Sequence, residues 1–214
     1  MIFGPQYNEH KLLTSFFKEK RNGYLVEVGA ADGIDNSHTN FLINEWQWQG
    51  ILIEPEPIQF KALQENYKNQ NQIVLINKAI YCRNDQVEFI VAGQISRIKE
   101  TIGDKRKIKK FIEKYAGNVI KVECVILSQV LDDLNAPCNI DFLTIDAEGA
   151  ELAIINSMDW NRYSFSLVCL EHSLPKDQLT NTMKKYNYVL WEQNQGNSFY
   201  VLNTNSNILI MGST

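Results

Sequence analysis

The sequence predicts an α/β fold, a doubly wound and mostly parallel sheet with an antiparallel strand near one edge. Three observations predict it. Short apolar runs such as "YLVEV", "GILIE" and "DFLTI" alternate with stretches of helical spacing, as buried parallel strands alternate with covering helices. The first run ends in "GAADG", small residues and glycine where a buried strand feeds a tight turn. The last two strand-like runs, "YVLWEQ" and "SFYVLN", are joined by "NQGN", whose glycine suits a hairpin.

In chain order, a helix is expected over about residues 8–20, followed by the strand "GYLVEVG". "SHTNFLINEW" reads as a helix with Ser37 as N-cap. "GILIEPEP" is a second strand, stopped by Pro55 and Pro57, and residues 58–69 place Phe60, Leu63 and Tyr67 at helical spacing. "QIVLINKAIY" and "QVEFIVA" give third and fourth strands. From about residue 94 to 118 the texture changes: Arg97, Lys99, Lys105, Arg106, Lys107, Lys109, Lys110 and Lys114 face only Glu100, Asp104 and Glu113. This basic segment reads as an insertion on the same sheet. It is either a solvated, lid-like helix with Ile108, Phe111, Ile112 and Tyr115 as its apolar face, or a cap that attracts an anionic acceptor. "KVECVIL" is then a strand, "SQVLDDL" a short helix, "DFLTI" a buried strand with a helix from about Ala150, and "FSLVCLEH" another strand. The helix "KDQLTNTMKKY" and the closing strand pair complete a single domain, residues 1–214, with no internal repeat or linker.

The bulk numbers narrow the function classes. A chain of 214 residues with 21 basic and 25 acidic side chains, net −4, is not a global nucleic-acid binder, although a local basic patch stays open. No apolar run approaches the roughly 18 residues of a membrane span. The start, "MIFGPQYNEHKLLTSFF", lacks the basic and apolar regions of a signal peptide. Cys82, Cys124, Cys138 and Cys169 are far apart with no CxxC pair, so buried free thiols in a reducing cytoplasm are expected.

The loop after the first strand carries the first functional signal. Gly29, Ala31 and Gly33 occupy alternate positions, letting the backbone approach a ligand while the next helix supplies amide donors. Glycine used only for packing gives the same pattern. Glu54 ends the second strand, where an acid can hold ribose hydroxyls; a surface turn carboxylate is the plain alternative. Both NAD and S-adenosylmethionine satisfy these features. Glu27, two before Gly29, and the lack of G-x-G-x-x-G favour S-adenosylmethionine.

Four blocks occur in order: the G-A-x-D-G loop, a Ser-x-Thr helix start, Trp48-x-Gly50 leading to I-E-P, and "IDAEGAE". With them the chain, over about residues 24–172, resembles the FkbM family of S-adenosylmethionine-dependent methyltransferases. The resemblance implies a class I methyltransferase fold, Rossmann-like, acting on a hydroxyl of a sugar, glycolipid or natural product. Carried over by position, it places Glu27, Gly29, Ala30, Ala31, Asp32, Gly33 and Ser37 on the methionine and ribose side of the cofactor. Glu54 and Pro55 would take the ribose, Lys78 and Ala79 would lie near adenine, and Asp146 near the methyl. The chain departs from the family pattern at Thr144 and in the basic insertion.

Methyl transfer is an in-line attack on an activated carbon, so much of the catalysis is positioning. A neutral alcohol must also lose a proton, to a base or beside a metal. Two strand ends offer groups: Asp146 with Glu148, and Glu171 with His172. His172 suits a base near neutrality. Asp146 and Glu171 could instead hold Mg²⁺. Glu151 reads as a structural carboxylate in a first helical turn. His38 is expected to help cap a helix, and Trp46 and Trp48 to pack. The leading reading is an S-adenosylmethionine-dependent O-methyltransferase with a small-molecule or glycan acceptor. The others are a nucleic-acid methyltransferase, resting only on the Lys-rich segment, and a non-catalytic adenosyl-ligand binding module.

Overall fold

The computed structural model describes residues 9–115, 117–172 and 175–204. The first half runs α1 (Glu9–Phe17), β1 (Tyr24–Val28), α2 (Asn40–Trp46), β2 (Gln49–Ile53), α3 (Pro57–Tyr67), β3 (Ile73–Ile76), β4 (Ala79–Ile80), β5 (Asp85–Val91) and β6 (Arg97–Ile98). The second half runs α4 (Lys105–Tyr115), β7 (Asn118–Val125), α5 (Leu127–Asp133), β8 (Asn139–Ile145), α6 (Glu151–Ser157), β9 (Ser164–Glu171), α7 (Lys176–Lys185), β10 (Tyr188–Gln193) and β11 (Asn197–Leu202). Residues 1–8, at the start of the expected N-terminal helix and of the stretch read for a signal peptide, lie outside the described residues, as do residues 205–214 of the expected single domain.

The central sheet has the order β10-β11-β9-β8-β1-β2-β3. Strands β9, β8, β1, β2 and β3 pair in parallel, whereas β11 lies antiparallel between β9 and β10. The reversed strand is therefore second from the edge, as the hairpin "NQGN" requires. The alternation of the strands splits the core in two. Leu25, Leu52, Phe142, Leu167 and Phe199 face one side, packing with Leu13, Phe41 and Leu63 of the first three helices. Val26, Ile51, Leu143, Ile145 and Val168 face the other, with Leu131, Ile154 and Leu179. Both sets are almost fully buried. Trp48 is also buried, its indole nitrogen donating to the Lys20 carbonyl at 2.6 Å, which fits the packing role expected of it.

The middle of the chain departs from expectation. It does not extend the central sheet but forms a second sheet, β4-β7-β5-β6. The expected strand "QIVLINKAIY" breaks at Asn77, whose side chain donates to the Glu54 carbonyl at 2.8 Å. Its first half stays in the central sheet, and its second half pairs with β7 in the other. The physical reason is the long β5–β7 antiparallel pairing, seven residues in register from Asp85↔Cys124 to Val91↔Asn118. That pair, flanked by β4 and β6, satisfies its own backbone and needs no place on the central sheet.

Smaller differences concern termini and thiols. The first helix stops at Phe17, and Lys18 and Glu19 follow in left-handed backbone. The second starts at Asn40 with Thr39 in the cap position; Ser37 Oγ still accepts from the amides of Thr39 and Asn40, at 3.2 and 3.1 Å. All four cysteines are free, but only Cys124 and Cys169 are buried; Cys82 and Cys138 are exposed. No helix among the described residues is long and apolar enough to cross a membrane.

Candidate active site

The carboxyl ends of β1, β2, β8 and β9 open onto a cavity of about 320 Å³. On one wall, the turn after β1 presents Gly29, Ala30 and Ala31, with Glu54 and Pro55 from the end of β2 beside them. Glu54 is buried and braces this wall: its carboxylate accepts from the Ala31 amide at 2.8 Å and the Glu56 amide at 2.7 Å. Burial pushes its carboxyl up to about 7 despite those two amides, which pull it down. Glu56 in turn caps α3, accepting from the amides of Ile58 and Gln59.

Glu27 is also buried, and three donors converge on it: Thr39 Oγ1 at 2.5 Å, Ser37 Oγ at 3.4 Å and the His38 amide at 3.3 Å. Burial raises its pKa, and the neighbouring His38 is the largest influence in the other direction. Ser37, His38 and Ala79 line the cavity with it. Asp32 and Gly33 do not. Asp32 folds back to accept from the amides of Ile34 and Asp35 at 2.9 Å each, and the Gly33 carbonyl is held by Tyr67 and Asn40. They shape the loop from behind.

Beside that turn, after β8 and at the end of β9, stand Asp146, Glu148 and Glu171, whose carboxylate oxygens lie within 4.8 Å of one another. The parallel register Ile145↔Leu170 makes Asp146 and Glu171 neighbours at the ends of β8 and β9. They share a side-chain hydrogen bond, and both titrate above the usual carboxylate range. Burial is the main cause in each, and the charge of Asp146 drives Glu171 the higher of the two. Glu171 Oε2 is buried and meets no N–H or hydroxyl donor among the described residues.

Glu148 sits in left-handed backbone, φ 51°, which a non-glycine residue adopts only under local constraint. The constraint is visible: its carboxylate is paired with Arg97 of β6, and the loop behind it is tied by Glu151. Glu151 is fully buried and accepts from the amides of Ala147 and Gly149, all at 3.1 Å. Its role is structural, as the first turn of α6 suggests.

A sequence profile of the Methyltransferase FkbM domain matches residues 27–199. The chain belongs to the FkbM methyltransferase family. No curated protein matches it by direct sequence comparison. Among solved structures, the FkbM methyltransferase of Methylobacillus flagellatus KT superposes with a TM-score of 0.52 at 15% identity, covering 86% of this chain. This chain spans only 44% of that protein's length. A protein of the NADB-Rossmann superfamily from Streptococcus agalactiae gives a TM-score of 0.54 at 7% identity, covering 94% of this chain and 70% of its own. The fold is that of the Rossmann-like class I methyltransferases.

Three features of this FkbM site escape sequence reading. His172 is not among the cavity-lining residues; its Nε2 lies 2.7 Å from Ser198 Oγ on the adjacent strand. His38 is more than a cap residue. Its buried ring bridges Thr144 Oγ1, 2.7 Å from Nδ1, and Glu9 Oε2, 3.1 Å from Nε2. The family departure at Thr144 thus has a local partner. Finally, the insertion reaches the cavity through Gln94, Ile95, Ser96 and Ile98, not through α4, whose Lys105 and Lys109 line a separate groove with Arg83 and Lys99. The Arg97–Glu148 ion pair joins insertion to site, and its two residues are 51 apart in sequence.

Proposed function

We propose that this FkbM protein is an S-adenosylmethionine-dependent O-methyltransferase whose acceptor is a hydroxyl of a sugar, glycan or small natural product. The observation that carries the reading is the Asp146–Glu171 pair at neighbouring strand ends, sharing one cavity with the Gly29–Ala31 wall and Glu54. The residues present fit the cofactor. Glycine and alanine leave room for a ribosyl group. Each Glu54 oxygen already takes one backbone amide and keeps a lone pair for a ribose hydroxyl. Ala79 and Ile80 offer an apolar wall for a base, and Glu27 an anionic floor near an ammonium group. When bound, S-adenosylmethionine supplies a methyl group activated by its sulfonium.

The chain's own work is positioning and moving one proton. Near neutrality the Asp146–Glu171 pair retains a proton, because two buried carboxylates this close do not both ionise freely. Glu171 lines the cavity and bonds Asp146, so its carboxyl connects the acceptor side to the pair. As the acceptor oxygen takes the methyl carbon from the sulfonium sulfur, its proton passes to the Glu171 carboxyl and the shared proton shifts to Asp146. Arg97 neutralises Glu148, so the pair does not face a third uncompensated charge.

A metal-assisted reading has one observation in its favour: three carboxylates within 4.8 Å suit a hard divalent cation such as Mg²⁺. The Arg97 guanidinium on Glu148 already supplies the positive charge a cation would bring. The nucleic-acid reading is weakened because the lysines of α4 that line a groove do so away from the cavity. The deciding assay incubates the protein with S-adenosylmethionine and a panel of hydroxylated sugars and small molecules, with EDTA or Mg²⁺, and quantifies S-adenosylhomocysteine. Turnover of a hydroxyl acceptor in EDTA supports the carboxylate relay. Strict Mg²⁺ dependence would replace it, and cofactor binding without turnover on any hydroxyl would end the O-methyltransferase reading.

A further inference from the structure

We propose that the acceptor carries no anionic group, and that the cavity admits uncharged or amine-bearing hydroxyl compounds while rejecting phosphate, sulfate and carboxylate substituents. The inference rests on the methyltransferase reading above and narrows its acceptor class.

The charge inventory of the wall is one-sided. Glu27, Asp35, Glu54, Asp146, Glu148 and Glu171 line the cavity, and no lysine or arginine among the described residues does. Glu27 and Glu54 belong to the cofactor side and Asp35 to the loop after β1, which leaves Asp146, Glu148 and Glu171 facing the acceptor. The opposite face comes from the insertion and is neutral: Phe89, Ile95 and Ile98 are apolar, Gln94 and Ser96 polar but uncharged.

The one nearby cation is already committed. Arg97 gives its Nη2 to Glu148, donates from Nε to the Ile95 carbonyl at 3.3 Å, and lies over the Phe111 ring with its carbon 4.7 Å from the centroid. The His38 ring is engaged by Glu9 and Thr144. An acceptor phosphate would therefore bring charge beside three carboxylates with no cation released to meet it. A neutral hydroxyl meets no such penalty, and an ammonium group gains from the same carboxylates. The lysines of α4, which suggested anion attraction in the sequence, serve the other groove.

Calorimetry on the S-adenosylhomocysteine complex tests this with three probes of one shape: glucosamine, glucose and glucose 6-phosphate. Cofactor binding, measured first, reports on the methyltransferase reading alone. Glucosamine should bind at least as well as glucose, and glucose 6-phosphate about tenfold weaker or worse at low salt. Equal or tighter phosphate binding overturns the proposal, and so does failure of all three probes to bind. In the Glu148→Gln variant, Arg97 loses its counter-charge and the wall gains a cation. The discrimination against glucose 6-phosphate should then fall by about tenfold. Unchanged discrimination in a variant that still binds the cofactor would show that the carboxylate at 148 sets no charge filter.

Discussion

The carbonyl oxygen of Asp146 lies 1.9 Å from where a Cβ on Gly29 would stand. The loops after β1 and β8 thus meet backbone to backbone, and the Asp146 amide donates to the Val28 carbonyl at 3.0 Å beside them. Gly29 also holds φ 85°, a conformation that side chains rarely adopt. Gly29→Ala should push the cofactor wall away from the reacting carboxylate. The expected outcome is a stability loss of about 3 kcal/mol and at least tenfold weaker S-adenosylhomocysteine binding, by denaturant titration and calorimetry. Unchanged cofactor affinity would mean that this close approach does not shape the site.

The neighbours Glu171 and His172 separate two mechanisms. Glu171 lines the cavity and bonds Asp146; His172 approaches Ser198 instead. Glu171→Gln should retain the fold and cofactor binding but lose turnover by about 100-fold or more, within the range of general-base contributions. His172→Ala should stay within about tenfold of wild type. In the wild type, turnover should rise with pH on a limb well above the ordinary carboxylate value of about 4, because burial raises both members of the pair. Collapse of activity in His172→Ala alone would return the base role to the histidine.

Glu54 makes a prediction about stability. Its carboxyl moves from 4.5 in an exposed setting to about 7 when buried. Between those values the folded protein binds more protons than the unfolded chain, so stability falls as pH rises through that window and levels off above it. The span is worth on the order of 3 kcal/mol. Glu54→Gln removes this contribution, and melting profiles of wild type and variant should diverge in slope between pH 4.5 and about 7. Parallel profiles would sink the assignment.

How much of this was legible in the sequence follows from the range of each interaction. Gly29, Glu27 and Glu54 could be found because a strand and its turn encode them locally, by spacing from one apolar run. Asp146 and Glu171 could be paired because adjacent parallel strands align their ends. The second sheet could not, since "QVEFIVA" and "KVECVIL" read as strands for any sheet and only pairings such as Val87↔Val122 assign them to each other. The same holds for Arg97, one of many basic residues in its segment until it meets Glu148. His38 looked like a capping residue because its true partners, Glu9 and Thr144, belong to distant elements.

That last group supports a prediction linking stability to the site. Glu9 is fully buried at the start of α1, where Oε1 accepts from Asn194 at 2.8 Å and Asn197 at 2.7 Å, and Oε2 meets His38. One carboxylate thus ties the first helix, the β10–β11 hairpin and the loop that supports Glu27. Glu9→Ala strands the buried His38 and Asn197 and the half-buried Asn194 at once, and a buried group left unpaired costs about 1–3 kcal/mol. The costs overlap, so a total near 4 kcal/mol is expected, about that of breaking a buried ion pair. Because the His38 amide donates to Glu27, S-adenosylhomocysteine affinity should fall as well. Glu9→Gln keeps one carbonyl acceptor for the asparagines and should lose less of both. Denaturant titration and calorimetry on the two variants check the order. If Glu9→Ala were as stable as wild type, the buried carboxylate would be a passenger in the core rather than the tie that positions the cofactor loop.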